Sequence, residues 1–285
     1  MYIYLNGELA REEEAKISPF DHGFLYGMGL FETFRVYNGH PFLLDDHLER
    51  LNRGLKDLNI EASYKREQVL EALDRLLEKN GYKNAYIRMN VSAGTGEIGL
   101  QTKPYIHPNT IIFSKPLPQR GLKQEKQAAL LNIPRNTPEG TERLKSHHFL
   151  NNILAKREVG NDPGTEGLFL TKEGFLAEGV TSNLFWIKGD SICTPSIETG
   201  ILNGITRQFV ARLAETLGMN IQEGLYRAED LLKADEAFVT NSIQEIVPIS
   251  AFNGNSMPGL AGTKTSELHE LYARHCETLW SRNEL

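Results

Sequence analysis

Apolar positions change their period several times along the chain, and each change marks an element. Met1 to Leu5 predicts a short strand, and Phe31 to Tyr37 with Pro41 to Leu43 predicts a hairpin across the turn dipeptide Asn38-Gly39. Leu44, Leu48, Leu51, Leu55 and Leu58 then recur at helical spacing. A second helix is expected from about Ser63, with Val69, Leu70, Leu73, Leu76 and Leu77 on one face and Gly81 as its stop. Ala85 to Val91 and Thr110 to Phe113 read as further strands.

The second half repeats the mixture. A strand is expected at Ala128 to Ile133, a helix from about Ser146, strands around Leu168 and Leu184, and a helix opened by Ile205-Thr206. Strands near Ile221, Ala237 and Ile246 and a final helix from about Thr265 to Trp280 complete the pattern. Strands and helices mixed in both halves predict an α/β or mixed α+β fold of two domains. Pro116-Leu-Pro118 is the best connector. The expected division is a smaller N-terminal domain at 1–115, a linker at 116–122 and a larger C-terminal domain at 123–285.

Gly94-Thr-Gly96-Glu-Ile-Gly99 matches the dinucleotide fingerprint literally. That motif must open a helix and be followed about 20 residues later by an acid. Here Pro104 and Pro108 break any helix and the next acid is Glu125, so a hairpin loop is expected instead.

Composition narrows the class. The chain has 285 residues, 40% hydrophobic and 24% charged, as in an ordinary globular protein. Its 31 basic and 37 acidic residues give a net charge of −6, which offers no basic face to nucleic acid or an anionic membrane. Cys193 and Cys276 fit no metal-binding spacing, so no metal site is expected. The N-terminal residues lack the basic and apolar regions of a signal peptide, and a cytoplasmic location is expected.

Two segments carry candidate chemistry. Glu178-Gly-Val-Thr-Ser-Asn-Leu-Phe-Trp186 sets an acid just ahead of an apolar strand, and Leu202-Asn-Gly-Ile-Thr-Arg207 is a tight turn into a helix. A buried carboxylate can hold a heterocyclic nitrogen protonated, and the start of a helix offers free N–H groups to a phosphate. Together they suit pyridoxal phosphate. Most lysines are solvated charges, but Lys145 precedes the apolar run Phe149 to Leu154, and His147 and His148 could supply the neighbouring cations that a reactive lysine needs.

With these residues in view, the chain resembles the fold-type IV pyridoxal-phosphate enzymes, which include branched-chain aminotransferases, D-amino acid aminotransferases and 4-amino-4-deoxychorismate lyases. The matching motifs run in the family's order: His47-Leu-Glu-Arg50, Lys145, Glu178-Gly, Ser182-Asn-Leu-Phe185, Thr194-Pro195, Leu202 to Arg207, and Ala234 to Phe238 leading to Asn241-Ser242. The resemblance spans nearly the whole chain. It implies that the larger domain binds pyridoxal 5'-phosphate, with Lys145 joined to the cofactor and Glu178 at its ring nitrogen. It also implies that Arg50, the Ile205 and Thr206 amides, the Thr206 hydroxyl and Ser242 hold the phosphate. Tyr26 and Arg88 match positions where the family meets cofactor or substrate, and Asn241 is a weaker match.

Local wording tilts the choice within the family. Asn203-Gly204 stands where branched-chain aminotransferases usually place proline before glycine, and Ser182 to Gly189 is similar to the lyase version of that strand. After Lys145 the chain lacks the Gly-Gly-Asn-Tyr of the branched-chain enzymes, and His148 replaces the family's usual Asn. The resemblance therefore implies a lyase acting on a small molecule, with a D-amino acid or branched-chain aminotransferase as the alternative and a homodimer as the expected assembly. Without the family match, a non-catalytic two-domain binding protein is the remaining reading.

Overall fold

The computed structural model describes residues 1–117 and 124–285. Two compact units emerge: Met1–Arg120 with Leu144–His148 and Cys276–Glu284, and Gly121–Arg143 with Phe149–His275 and Leu285. A single boundary at 116–122 does not describe this division, because two later segments return to the first unit. The expected linker lies, from Pro118 onward, outside the described residues.

The first unit contains β1 (Tyr2–Leu5), β2 (Glu8–Arg11), α1 (His22–Tyr26), β3 (Gly29–Tyr37), β4 (His40–Pro41), α2 (Leu44–Asp57), α3 (Arg66–Asn80), β5 (Ala85–Ser92) and β6 (Asn109–Pro116). Its strands form one antiparallel sheet in the order β2-β1-β6-β5-β3-β4. Asn38 and Gly39 both take positive φ, 47° and 89°, which is the hairpin geometry that dipeptide favours. Strand alternation sends Leu30, Phe34 and Val36 of β3 and Ile87, Met89 and Val91 of β5 into a core with the leucines of α2 and α3. Phe31 and Arg88 consequently face the other way. Helix α3 begins at Arg66 rather than Ser63, since Tyr64 bonds Asn52 through both its N–H, at 2.8 Å, and its carbonyl, at 2.9 Å.

The two returning segments are held by backbone bonds. Phe31 N donates to Lys145 O at 2.9 Å and His147 N to Gly29 O at 3.0 Å, so Ser146 lies opposite Leu30 as a short edge pairing on β3. This pairing replaces the helix expected from Ser146, which starts only at Leu150. At the C-terminus, Leu43 N and Asp45 N donate to the carbonyls of Leu279 and Trp280, and Arg282 N donates to the buried Asp46 at 2.7 Å. The final helix accordingly ends at His275 instead of Trp280.

The second unit contains β7 (Lys126–Leu130), α4 (Leu150–Val159), β8 (Thr165–Leu170), β9 (Leu176–Gly179), β10 (Asn183–Lys188), β11 (Ser191–Pro195), α5 (Ile205–Thr216), β12 (Asn220–Gly224), α6 (Ala228–Leu232), β13 (Glu236–Asn241), β14 (Glu245–Phe252), β15 (Asn255–Ser256) and α7 (Thr263–His275). Its main sheet runs β12-β11-β10-β13-β14-β7-β8-β9 and mixes parallel with antiparallel pairs. β9 and β10 stand five places apart in that order, a separation of about 24 Å if the sheet were flat. The chain from Gly179 to Asn183 can reach only about 14 Å. The sheet must therefore curl, which brings the acid-bearing β9 toward the start of β10. Helices α5 and α7 meet through Phe209 and Tyr272, edge to face at 5.3 Å.

Candidate active site

In the first unit, β3 places an acid where its alternation calls for an apolar residue. Glu32 sits between Leu30 and Phe34 on the core face and is 1% exposed. Helix α2 makes this tolerable: Arg50 donates from Nε to Glu32 Oε1 at 2.8 Å and from Nη2 to Oε2 at 2.7 Å, and His47 Nδ1 bonds Oε2 at 2.7 Å. Burial pushes the Glu32 carboxyl up, but the charge and fork of Arg50, joined by His47, bring it down to about 2. Burial outweighs Glu32 at His47 and lowers that imidazole, so His47 is a neutral donor. Arg50 is thus fixed in place through one edge of its guanidinium.

On the opposite face of β3, the Phe31 ring gathers two cations. Lys145 Nζ lies 4.7 Å from its centroid and the Arg88 guanidinium carbon 3.7 Å. The structure therefore brings Lys145 and Arg88 together on a residue that the motifs did not single out. His147, expected as a cation beside Lys145, does not act as one. Burial, then the charge of Arg88, lowers its imidazole and leaves it neutral. Tyr26 is engaged elsewhere: its hydroxyl accepts from Gly99 N at 2.8 Å, while its carbonyl lies 3.1 Å from His148 Nε2. The Gly94-Thr-Gly96 segment lies between two strands and opens no helix, as the context test requires.

In the second unit, Glu178 lies on the buried strand β9 and is 5% exposed. Three donors hold it: Arg135 Nε at 2.8 Å, Leu202 N at 3.1 Å and Asn183 Nδ2 at 3.3 Å. Asn183 also donates to Leu202 O at 2.9 Å, so one side chain ties the acid to the turn before α5. A methyl group on Gly204 would lie 2.2 Å from Asn183 Oδ1, which explains the glycine there. Gly204 is also the N-cap of α5, where no side chain caps the helix. The first-turn amides of the buried Ile205 and Thr206 are therefore oriented for an anion. Beside them the Thr206 and Ser242 hydroxyls lie 3.1 Å apart.

Sequence reasoning missed three members of this machinery. Arg135 had no local signal, because it meets Glu178 only through the pairing of its N–H with Leu170 O at the end of β8, the neighbour of β9. Arg143, near Arg135, is brought down to about 10 by burial first and by that neighbouring charge second, and it donates to Gly200 O at 2.5 Å. Glu32 did carry a signal, an acid at an apolar phase of β3. Asn241 has a structural explanation, since its Oδ1 accepts from Ile243 N and Gln244 N and shapes the turn after β13. Among the described residues, no group of three or more His, Cys, Asp or Glu is arranged to hold a metal, and no helix is long and apolar enough to cross a membrane.

Residues 29–252 match the amino-transferase class IV family. The chain is 49% identical over 279 residues to the aminodeoxychorismate lyase of Bacillus subtilis, covering 97% of this chain and 95% of that protein. It is 28% identical to the D-alanine aminotransferase of Bacillus licheniformis, with 90% of each covered. The crystal structure of a branched-chain aminotransferase from Thermoproteus uzoniensis superimposes with a TM-score of 0.85 at 31% identity, covering 96% of this chain and 94% of that one.

Proposed function

Because the chain belongs to the amino-transferase class IV family, we propose that it is a pyridoxal-phosphate-dependent 4-amino-4-deoxychorismate lyase, releasing pyruvate and 4-aminobenzoate for folate synthesis. The observation that carries this reading is the 49% identity to a lyase along almost the whole chain, well above the identity to the two aminotransferases.

The residues present fit the cofactor. An uncapped, buried helix start with two adjacent hydroxyls suits its phosphate, and a carboxylate held by three N–H donors suits a protonated ring nitrogen. In this assignment Ile205, Thr206, Ser242 and Arg50 hold the phosphate, Glu178 faces the ring nitrogen and Lys145 is the attachment point. Once bound, pyridoxal phosphate supplies an electron sink for the amine-bearing carbon.

The chain's own residues then perform distinct tasks. Lys145 takes the proton from the carbon bearing the amine and returns a proton to the departing enolpyruvate, whose carbon–oxygen bond to the ring breaks. Glu32 keeps the Arg50 fork from swinging, and Arg135 holds Glu178 in position. In the same assignment Arg88, whose guanidinium lies over the Phe31 ring, meets a substrate carboxylate. Loss of enolpyruvate leaves an aromatic ring, which gives the elimination its driving force.

The purified protein should carry a visible absorbance band that borohydride removes and Lys145→Ala prevents. Supplied with aminodeoxychorismate, it should release 4-aminobenzoate and pyruvate in equal amounts. Steady transamination of D-alanine or leucine with 2-oxoglutarate, without 4-aminobenzoate, would overturn the lyase reading.

A cytoplasmic homodimer completes the proposal. Helix α4 exposes Leu150, Ile153 and Leu154, spaced as one face, and the loop after β5 exposes Ile98 and Leu100. Light scattering that reports a monomer at micromolar concentration would refute the dimer.

A further inference from the structure

The chemistry assigned above leaves His147 without a task, although its surroundings are built with care. Lys145 and His147 are alternate residues of the extended segment paired to β3, so their side chains leave it on the same side. The His147 ring stacks along Phe31, with centroids 6.4 Å apart and planes at 25°. That same Phe31 ring carries Lys145 and Arg88. A methyl group at Gly29 would lie 2.5 Å from His147 Cε1 and 2.6 Å from Nδ1, so the imidazole is pressed against the β3 backbone. Its Nε2 is buried and has no hydrogen-bond partner among the described residues. Native structures rarely leave such an atom unmatched unless something else is meant to meet it.

Arg88 supplies an independent sign. Its Nε donates to Asn90 Oδ1 at 2.9 Å, and no carboxylate pairs with it among the described residues. A partly buried cation without an acid and a buried nitrogen without a partner flank one aromatic ring. Both would be satisfied by an anion.

We propose that His147 is a substrate-contact residue that joins Arg88 in holding a substrate carboxylate and takes up a proton when that carboxylate binds. This rests on the protein acting on a carboxylate substrate, as proposed above, and holds for either a lyase or an aminotransferase. In the free protein, burial and then Arg88 disfavour the imidazolium, Asp21 at the start of α1 and the Leu30 carbonyl favour it, and His148 disfavours it. Lys145 adds a further cation on the same segment, while Glu32 faces the opposite side of β3. Burial and the cations prevail, so the ring is neutral. A carboxylate at Nε2 reverses the balance. The ring then takes a proton from solvent, Nε2–H donates to the anion, and Nδ1–H faces the Leu30 carbonyl. No substrate bond breaks in this step.

The test is calorimetric titration of the cofactor-loaded protein with 4-aminobenzoate and with 2-oxoglutarate, in buffers of different ionisation enthalpy above neutral pH. Wild type should take up as much as one proton per carboxylate bound, and its affinity should fall with rising pH, approaching tenfold per unit. His147→Gln, which keeps a donor but does not titrate there, should still bind, with no proton uptake. His147→Leu should bind at least about tenfold more weakly. Proton uptake unchanged in both variants, no uptake in wild type, or failure of wild type to bind either carboxylate would overturn the proposal. Uptake with 2-oxoglutarate in a protein that releases no 4-aminobenzoate from aminodeoxychorismate would uphold His147 and sink only the lyase reading.

Discussion

Glu32 receives both arms of the Arg50 guanidinium, Nε at 2.8 Å and Nη2 at 2.7 Å, on the face of β3 that otherwise packs leucine, phenylalanine and valine into the core. A charge is placed there at a desolvation cost, and two partners from α2 offset it. The arrangement fixes a guanidinium rather than strengthening a core.

Glu32→Gln should therefore destabilise the protein by about 3 kcal/mol, because the largely buried Arg50 loses its neutralising charge. Urea unfolding measures this directly. Affinity for pyridoxal phosphate, followed by absorbance, should weaken in the same variant. A protein with unchanged midpoint and unchanged affinity would show that Arg50 does not depend on Glu32.

Stability should fall as the solution is acidified, in two stages. His47, His147 and His275 all have folded-state values below their ordinary 6.5, so the stability tied to their neutral forms is intact above that pH and is lost below it. Glu32 is depressed from 4.5 to about 2, so its contribution is full above 4.5 and disappears as pH falls toward 2. That shift corresponds to roughly 3 kcal/mol. Asp46, raised by burial, acts in the opposite direction. Melting temperature against pH checks the signs, and a protein that gains stability between pH 6.5 and 5 would contradict them.

Gly204→Ala forces a methyl group within 2.2 Å of Asn183 Oδ1, although the φ of −63° suits alanine. The cost should be about 1–3 kcal/mol of overpacking. Because Asn183 also donates to Glu178, cofactor binding should suffer with it. A doubly substituted Gly204→Ala, Asn183→Ala protein should recover part of the packing loss but none of the cofactor affinity.

Tyr26→Phe removes the hydroxyl that accepts from Gly99 N. Amide exchange across residues 94 to 100 should accelerate several-fold, with global stability changed by less than about 1 kcal/mol. Exchange identical to wild type would mean that this bond does not order the loop.

Much of the fold could be read from the sequence where one element decides its own burial. The leucines of α2 and the Asn38-Gly39 turn needed no partner to be legible. Glu178, Thr206 and Ser242 were singled out because short motifs surround them, and the structure shows Glu178 buried and the Thr206 and Ser242 hydroxyls 3.1 Å apart. What stayed hidden depended on contacts distant in sequence. Lys145 looked like the approach to a helix, but pairing with Gly29 and Phe31 holds it extended. Arg135 reaches Glu178, 43 residues away, only because its backbone bonds the end of β8 beside β9. His147 looked like a cation until its burial against β3 was known. Glu32 stood in plain view as an acid out of phase, and its meaning came from Arg50.

The backbone path of Leu144–His148 has a consequence for how such a protein can be rebuilt. The residue assigned to attach the cofactor travels on an edge segment of the first unit's sheet, and Cys276–Glu284 returns there as well. One crossover point near residue 120 would separate β3 from both. A chimera that exchanges N-terminal halves between relatives would then pair each β3 with a foreign lysine segment and a foreign tail. Workable recombinants must transfer three stretches of chain together, so the first unit is inherited as one discontinuous cassette.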